Sequence, residues 1–172
     1  MTARRNRRKK IPSRQREHRR HGCWDHIIVA PLWVAFGANL GTLLRTCDAV
    51  GACMAVPATK HYRTALEKGD TLAYRPHVHW VRDSKKAWVR RQQAEGRQVI
   101  AVELADGATP LALLAPARQP TVLLLGHEGQ GVPEDFVGLA DETVQIPMIG
   151  VGVSLNVAVA GSLVAYRLAG LS

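Results

Sequence analysis

From His26 onward, short apolar and β-branched runs alternate with segments of helical periodicity, and this alternation leaves few possible folds. The segment HIIVAPL (26–32) reads as a strand. Cys53 to Val56 reads as a second, ended by Pro57, and His77 to Val81 as a third. QVIAVEL (98–104) and TVLLL (121–125) are the clearest strands, and Thr143 to Ile146 is the last. Between the first two, Leu40, Leu43, Leu44 and Cys47 recur at helical spacing, with Asn39 as predicted N-cap and Gly51 as predicted stop. Ser84 to Glu95 predicts a helix closed by Gly96, and Pro110 to Leu114 and Pro133 to Leu139 predict short ones. Ser154 to Leu168 predicts a long apolar helix for which Ser154 is a natural N-cap. The pattern is that of an α/β protein, a mostly parallel sheet with helices on both faces. Ligands of such sheets bind beyond the carboxyl ends of the strands, so the loops after Leu32, Leu104, Leu125 and Ile146 should carry the chemistry.

Charge divides the chain in two. Arg4, Arg5, Arg7, Arg8, Lys9, Lys10, Arg14, Arg16, Arg19 and Arg20 face a single acid, Glu17, within the first twenty residues, and they account for the whole net charge of +9. The rest is neutral. A basic arm over residues 1–22 and a globular domain over residues 23–172 are therefore expected, and the arm points to a polyanionic partner. No apolar run reaches the roughly 18 to 20 residues of a membrane span. The arm has no apolar core of a secretory signal, and Ile11 is nearly its only bulky apolar residue, which argues against an amphipathic transit helix. Three cysteines, Cys23, Cys47 and Cys53, without C-x-x-C spacing, predict a reducing cytoplasmic setting, no disulfide framework and no metal site.

Three segments stand where ligand loops belong. GHEGQG (126–131) follows a strand, but its glycine spacing is neither the dinucleotide fingerprint nor a phosphate loop, leaving a tight turn and a nucleotide-like ligand both open. IPMIGVGVSLN (146–156) contains Gly152-Val-Ser154-Leu-Asn156, one residue short of a nucleophile elbow. In NLGTLLRTCDAVG (39–51), Arg45 is a lone cation on an apolar helix, and it either meets an anion or reaches solvent and Asp48. His77 and His79 lack a third ligand, and Arg82, Lys85, Lys86, Arg90, Arg91 and Arg97 form a second basic group that could extend an RNA-contacting surface.

Taken together, these segments resemble the SpoU (TrmH-type) RNA ribose 2′-O-methyltransferases of the SPOUT superfamily. The family's first motif, Asn-x-Gly/Ser-x-x-x-Arg-Thr, is matched by Asn39, Gly41, Arg45 and Thr46. The second, Gly-x-Glu-x-x-Gly, is matched by Gly126, Glu128 and Gly131. The third is matched by Ile146, Pro147, Met148, Gly150, Ser154, Leu155, Asn156 and Val157. The first motif most resembles that of tRNA enzymes methylating a D-loop guanosine.

The resemblance implies a C-terminal deep trefoil knot holding S-adenosylmethionine, with contacts at Val102, Glu103, Gly126, Ile146, Met148 and Leu155. It also implies a homodimer, no metal, and an RNA substrate, tRNA before rRNA. Arg45 would clamp the phosphate beside the target ribose. Asn39 would orient Arg45, Ser154 and Asn156 would hold the hydroxyl and the knot loop, and Glu128 would brace the site. The tRNA enzymes resembled carry a further C-terminal helical extension, whereas Ser172 directly follows the last predicted helix here, so the basic arm is expected to supply the RNA grip. A non-catalytic RNA-binding protein on the same scaffold is the rival reading, and a hydrolase built on Ser154 a third.

Overall fold

The computed structural model describes residues 26–69 and 76–171. The arm and its ten cations lie outside the described residues.

Seven strands form one parallel sheet: β1 (Ile27–Ala30), β2 (Cys53–Pro57), β3 (Val78–Val81), β4 (Gln98–Val102), β5 (Thr109–Pro110), β6 (Thr121–Leu125) and β7 (Glu142–Gln145), in the order β3-β2-β1-β6-β4-β7-β5. The helices are α1 (Gly37–Val50), α2 (Lys60–Gly69), α3 (Lys85–Ala94), α4 (Glu134–Val137) and α5 (Val157–Leu168). Successive strand side chains point to opposite faces, and both faces are apolar. Ile27, Val29, Leu123 and Leu125 join Leu40, Leu43, Leu44, Leu66 and Val164 under α1, α2 and α5. Ile28, Ala30, Val122 and Leu124 join Trp88, Val89 and Phe136 under α3 and α4. Because every pairing is parallel, all strands end on one edge of the sheet.

Three local expectations are corrected. Helix α1 starts at Gly37 with Phe36 as its N-cap residue, so Asn39 is buried in the first turn and caps nothing. Helix α5 is capped by Asn156, whose Oδ1 accepts from Ala158 N at 2.9 Å and Val159 N at 3.3 Å, and not by Ser154. Thr109 and Pro110 form a short strand on β7, and only a 3₁₀ turn over Leu111–Leu113 remains of the helix expected there. Cys47 is a free, buried thiol.

Other expectations match. Gly51 closes α1 at φ 73°, and Ser84 caps α3 by accepting from Ala87 N at 3.2 Å. Helix α2 was not foreseen, because only Tyr62 and Leu66 of it are buried.

Candidate functional site

Strand β6 ends at Leu125, and the chain turns back on itself at once. His127 N donates to Gly131 O at 2.9 Å, and Gly131 N to His127 O at 2.8 Å. The turn is so close that a Cβ on Gly126 would lie 2.0 Å from the Gly131 carbonyl carbon. Gly131 adopts φ +68°, and a Cβ there would lie 2.0 Å from Glu103 Oε2. Glu103 closes this loop from the neighbouring strand's end. Its Oε2 accepts from Val132 N at 2.7 Å, and its Oε1 from Leu104 N at 3.0 Å.

Glu128, at the loop's tip, joins the other two motifs. Its carboxylate accepts from Ala35 N at 3.0 Å, Phe36 N at 3.0 Å and Asn39 Nδ2 at 2.7 Å. Asn39 Oδ1 in turn accepts from Asn156 Nδ2 at 3.0 Å. One chain of hydrogen bonds thus runs from the β6 loop through the head of α1 to the head of α5. Partial burial would raise the Glu128 carboxyl pKa, but hydrogen bonds from Ala35, Asn39, Phe36 and its own backbone N–H outweigh that and hold it below the usual carboxylate value. Further along the same helix pair, the Thr46 and Ser162 hydroxyl oxygens lie 2.6 Å apart. Ser162 was not singled out in the sequence, and only the adjacent placement of α1 and α5 shows it.

The loops after β4, β6 and β7 enclose a cleft of about 690 Å³. All six residues expected to touch the cofactor line it: Val102, Glu103, Gly126, Ile146, Met148 and Leu155. Glu128 and Ser154 line it too. Asn39, Arg45 and Asn156 do not; the first and third belong to the hydrogen-bond chain behind it, and Arg45 is exposed on α1. Both amide atoms of Asn39 are engaged by Glu128 and Asn156. Asn39 therefore acts on the loop and the α5 cap, a role different from the expected orientation of Arg45.

The donor set restricts the ligand. Among the described residues no Lys or Arg lines the cleft, and both acids in it are held by backbone N–H groups. A phosphate-bearing nucleotide would find no counter-charge among these described residues. An adenosine carrying a sulfonium fits better, because apolar walls (Leu125, Ile146, Leu155) suit the base and two carboxylates favour a cation.

The fold and cleft define an open parallel α/β protein with one nucleoside-sized site at the carboxyl edge of its sheet. The chain belongs to the SpoU rRNA Methylase family, whose model matches residues 28–166. A tRNA (guanosine(18)-2′-O)-methyltransferase of Escherichia coli (strain K12) is 33% identical over 133 residues, which are 75% of this chain and 56% of that enzyme. The chain thus spans little more than half the length of this relative. The crystal structure of the A. aeolicus TrmH/SpoU tRNA modifying enzyme superposes with a TM-score of 0.73 at 25% identity, over 92% of this chain and 82% of that one. An AdoMet-bound rRNA methyltransferase from Sinorhizobium meliloti superposes with a TM-score of 0.69 at 27% identity, over 88% of this chain and 59% of that one.

Proposed function

We propose that this protein methylates the 2′-hydroxyl of a ribose in structured RNA, using S-adenosylmethionine bound in the cleft. The observation that carries this reading is the convergence of all six expected cofactor residues on one cleft. The family, the AdoMet-bound neighbour and the tRNA and rRNA enzymes among the relatives support it. We favour tRNA because the E. coli relative and the A. aeolicus neighbour both act on tRNA; rRNA is the alternative.

Val102, Gly126, Ile146, Met148 and Leu155 would hold the cofactor, with Glu103 shaping its loop. S-adenosylmethionine supplies a methyl on a neutral-leaving thioether. The chain has to place a poor nucleophile in line with that methyl and give its proton somewhere to go. Arg45 stays protonated and cannot be the base. Its guanidinium clamps the phosphate beside the target ribose, and an oxygen of that phosphate takes the hydroxyl proton. Ser154, exposed on the cleft's rim, orients the hydroxyl. Asn39, Asn156 and Glu128 keep the α1 and α5 heads and the β6 loop in register.

The same reading includes a C-terminal trefoil knot. In its favour, α5 returns to the segment before β6: Ala117 N donates to Leu168 O at 2.8 Å, and Arg167 donates to Leu114 O at 2.6 Å. It also includes a homodimer. Val159, Leu163 and Tyr166 form one exposed apolar stripe on α5, and Ile149, Val151 and Val153 are exposed beside it in sequence. The chain's basic arm is the proposed RNA grip.

Arg45→Ala is the test. It should abolish methyl transfer to RNA while leaving the calorimetric affinity for S-adenosylmethionine unchanged. Near-normal turnover of this variant contradicts the assignment.

A further inference from the structure

The second basic group lies along β3 and α3, and its members reach the carboxyl edge of the sheet to different extents. Arg82, Lys85 and Lys86 follow β3 and so stand at the carboxyl edge, where the cofactor cleft opens. Arg91 and Arg97 line a hollow along β3 with His77, Glu95 and Arg82 itself.

Contacts and the chain itself lead from the cleft toward Lys85 and Lys86. Glu128, in the cleft wall, accepts from Phe36 N, which fixes the backbone under a phenylalanine ring that is 62% exposed. Three residues earlier, the Trp33 ring packs edge-on against Phe136 with centroids 4.7 Å apart. Lys85 Nζ lies 5.1 Å over the same Trp33 ring, and burial lowers its pKa. This props the β3–α3 loop against the rim. Lys86 pairs with Asp135 at 3.1 Å, but both side chains are half exposed, and such a pair is easily exchanged for a phosphate. Asp83 is held by Arg91, and Arg82 is exposed. Glu134 precedes Asp135 in the first turn of α4.

We infer that this track seats the RNA strand flanking the target nucleotide, with a base stacked on Phe36 and phosphates on Arg82 and Lys86. The inference rests on the proposed RNA methylation and assigns the path of the substrate across the site. An exposed aromatic followed by cations propped at fixed positions is the arrangement that binds single-stranded nucleic acid with little regard to sequence.

The test compares equal charge changes at the two edges. Arg82→Glu with Lys86→Glu alters the proposed track. Lys68→Glu with Arg118→Glu alters the opposite edge, since Lys68 is in the last turn of α2 and Arg118 precedes β6. Binding of unmodified tRNA transcripts by the full chain is measured across salt concentrations, with S-adenosylmethionine affinity as the check on folding. Losing two phosphate contacts should lower the salt slope by about two in the first variant only. Phe36→Ala should reduce kcat/KM for RNA roughly fivefold to a hundredfold, and Phe36→Trp should restore it. Equal slopes for the two double variants overturn the track while leaving RNA methylation standing. A wild-type chain that binds neither tRNA nor rRNA transcripts overturns both.

Discussion

The loop from Gly126 to Gly131 and the loop from Pro147 to Leu155 line the same cleft but are held in opposite ways. The first closes on itself through two backbone hydrogen bonds, is clamped by Glu103, and reaches α1 through Glu128. The second exposes Ile149, Val151 and Val153 and is anchored at its ends, by β7 on one side and the Asn156 cap on the other. One wall is built by the fold. The other is completed, in our account, by ligand and partner chain, so damage to each should show in different measurements.

The largest effect is expected from Gly126→Ala. The added methyl meets backbone atoms of Gly131 and Val132 at 2.0 and 2.2 Å, which cannot yield as a side chain can. Calorimetry should detect no S-adenosylmethionine binding, while circular dichroism stays near wild type. Retained affinity would mean the first wall is not preformed.

Asn156 separates the two walls more finely. Asn156→Ala removes the α5 cap and should cost about 1 kcal/mol in urea unfolding. Asn156→Asp keeps an oxygen for Ala158 N and Val159 N but has no donor for Asn39. It should recover most of the stability while methyl transfer stays impaired. If both variants lose stability equally, the link to Asn39 matters more than the cap.

A smaller effect concerns pH. Glu128 has its folded-state pKa lowered, so the stability it adds is fully present above its unfolded pKa and fades as pH falls through the lower folded value. Melting temperature of the wild type minus that of Glu128→Gln should be flat from pH 8 to the ordinary carboxylate range and shrink only below it. The smallest effect should follow Ile149→Ser with Val151→Ser. These exposed side chains bury nothing in the isolated chain, so thermal stability should hold within about 0.5 kcal/mol per site while sedimentation shows weakened self-association.

Most of the sheet was legible in the sequence because its strands are buried on both faces and therefore read as unbroken apolar runs. The cleft was legible because Gly126, Gly131 and Glu128 lie in short-range motifs. The amides were not. Asn39 reads as the cap of α1 and Ser154 as that of α5, whereas Asn39 is engaged by Glu128 and by Asn156, distant in sequence, and Asn156 caps α5. Helix α2 escaped because Lys60, His61, Arg63, Glu67 and Lys68 outnumber its two buried residues.

The central claim is transfer of a methyl group to a ribose oxygen. It is tested most directly by incubating the protein with methyl-labelled S-adenosylmethionine and unmodified tRNA, followed by alkaline hydrolysis. A 2′-O-methyl group removes the hydroxyl that cleaves the adjacent phosphodiester, so the account predicts label in alkali-resistant dinucleotides, and none with Arg45→Ala. Label confined to mononucleotides, which places the methyl on a base, would contradict it, as would no label in tRNA or rRNA.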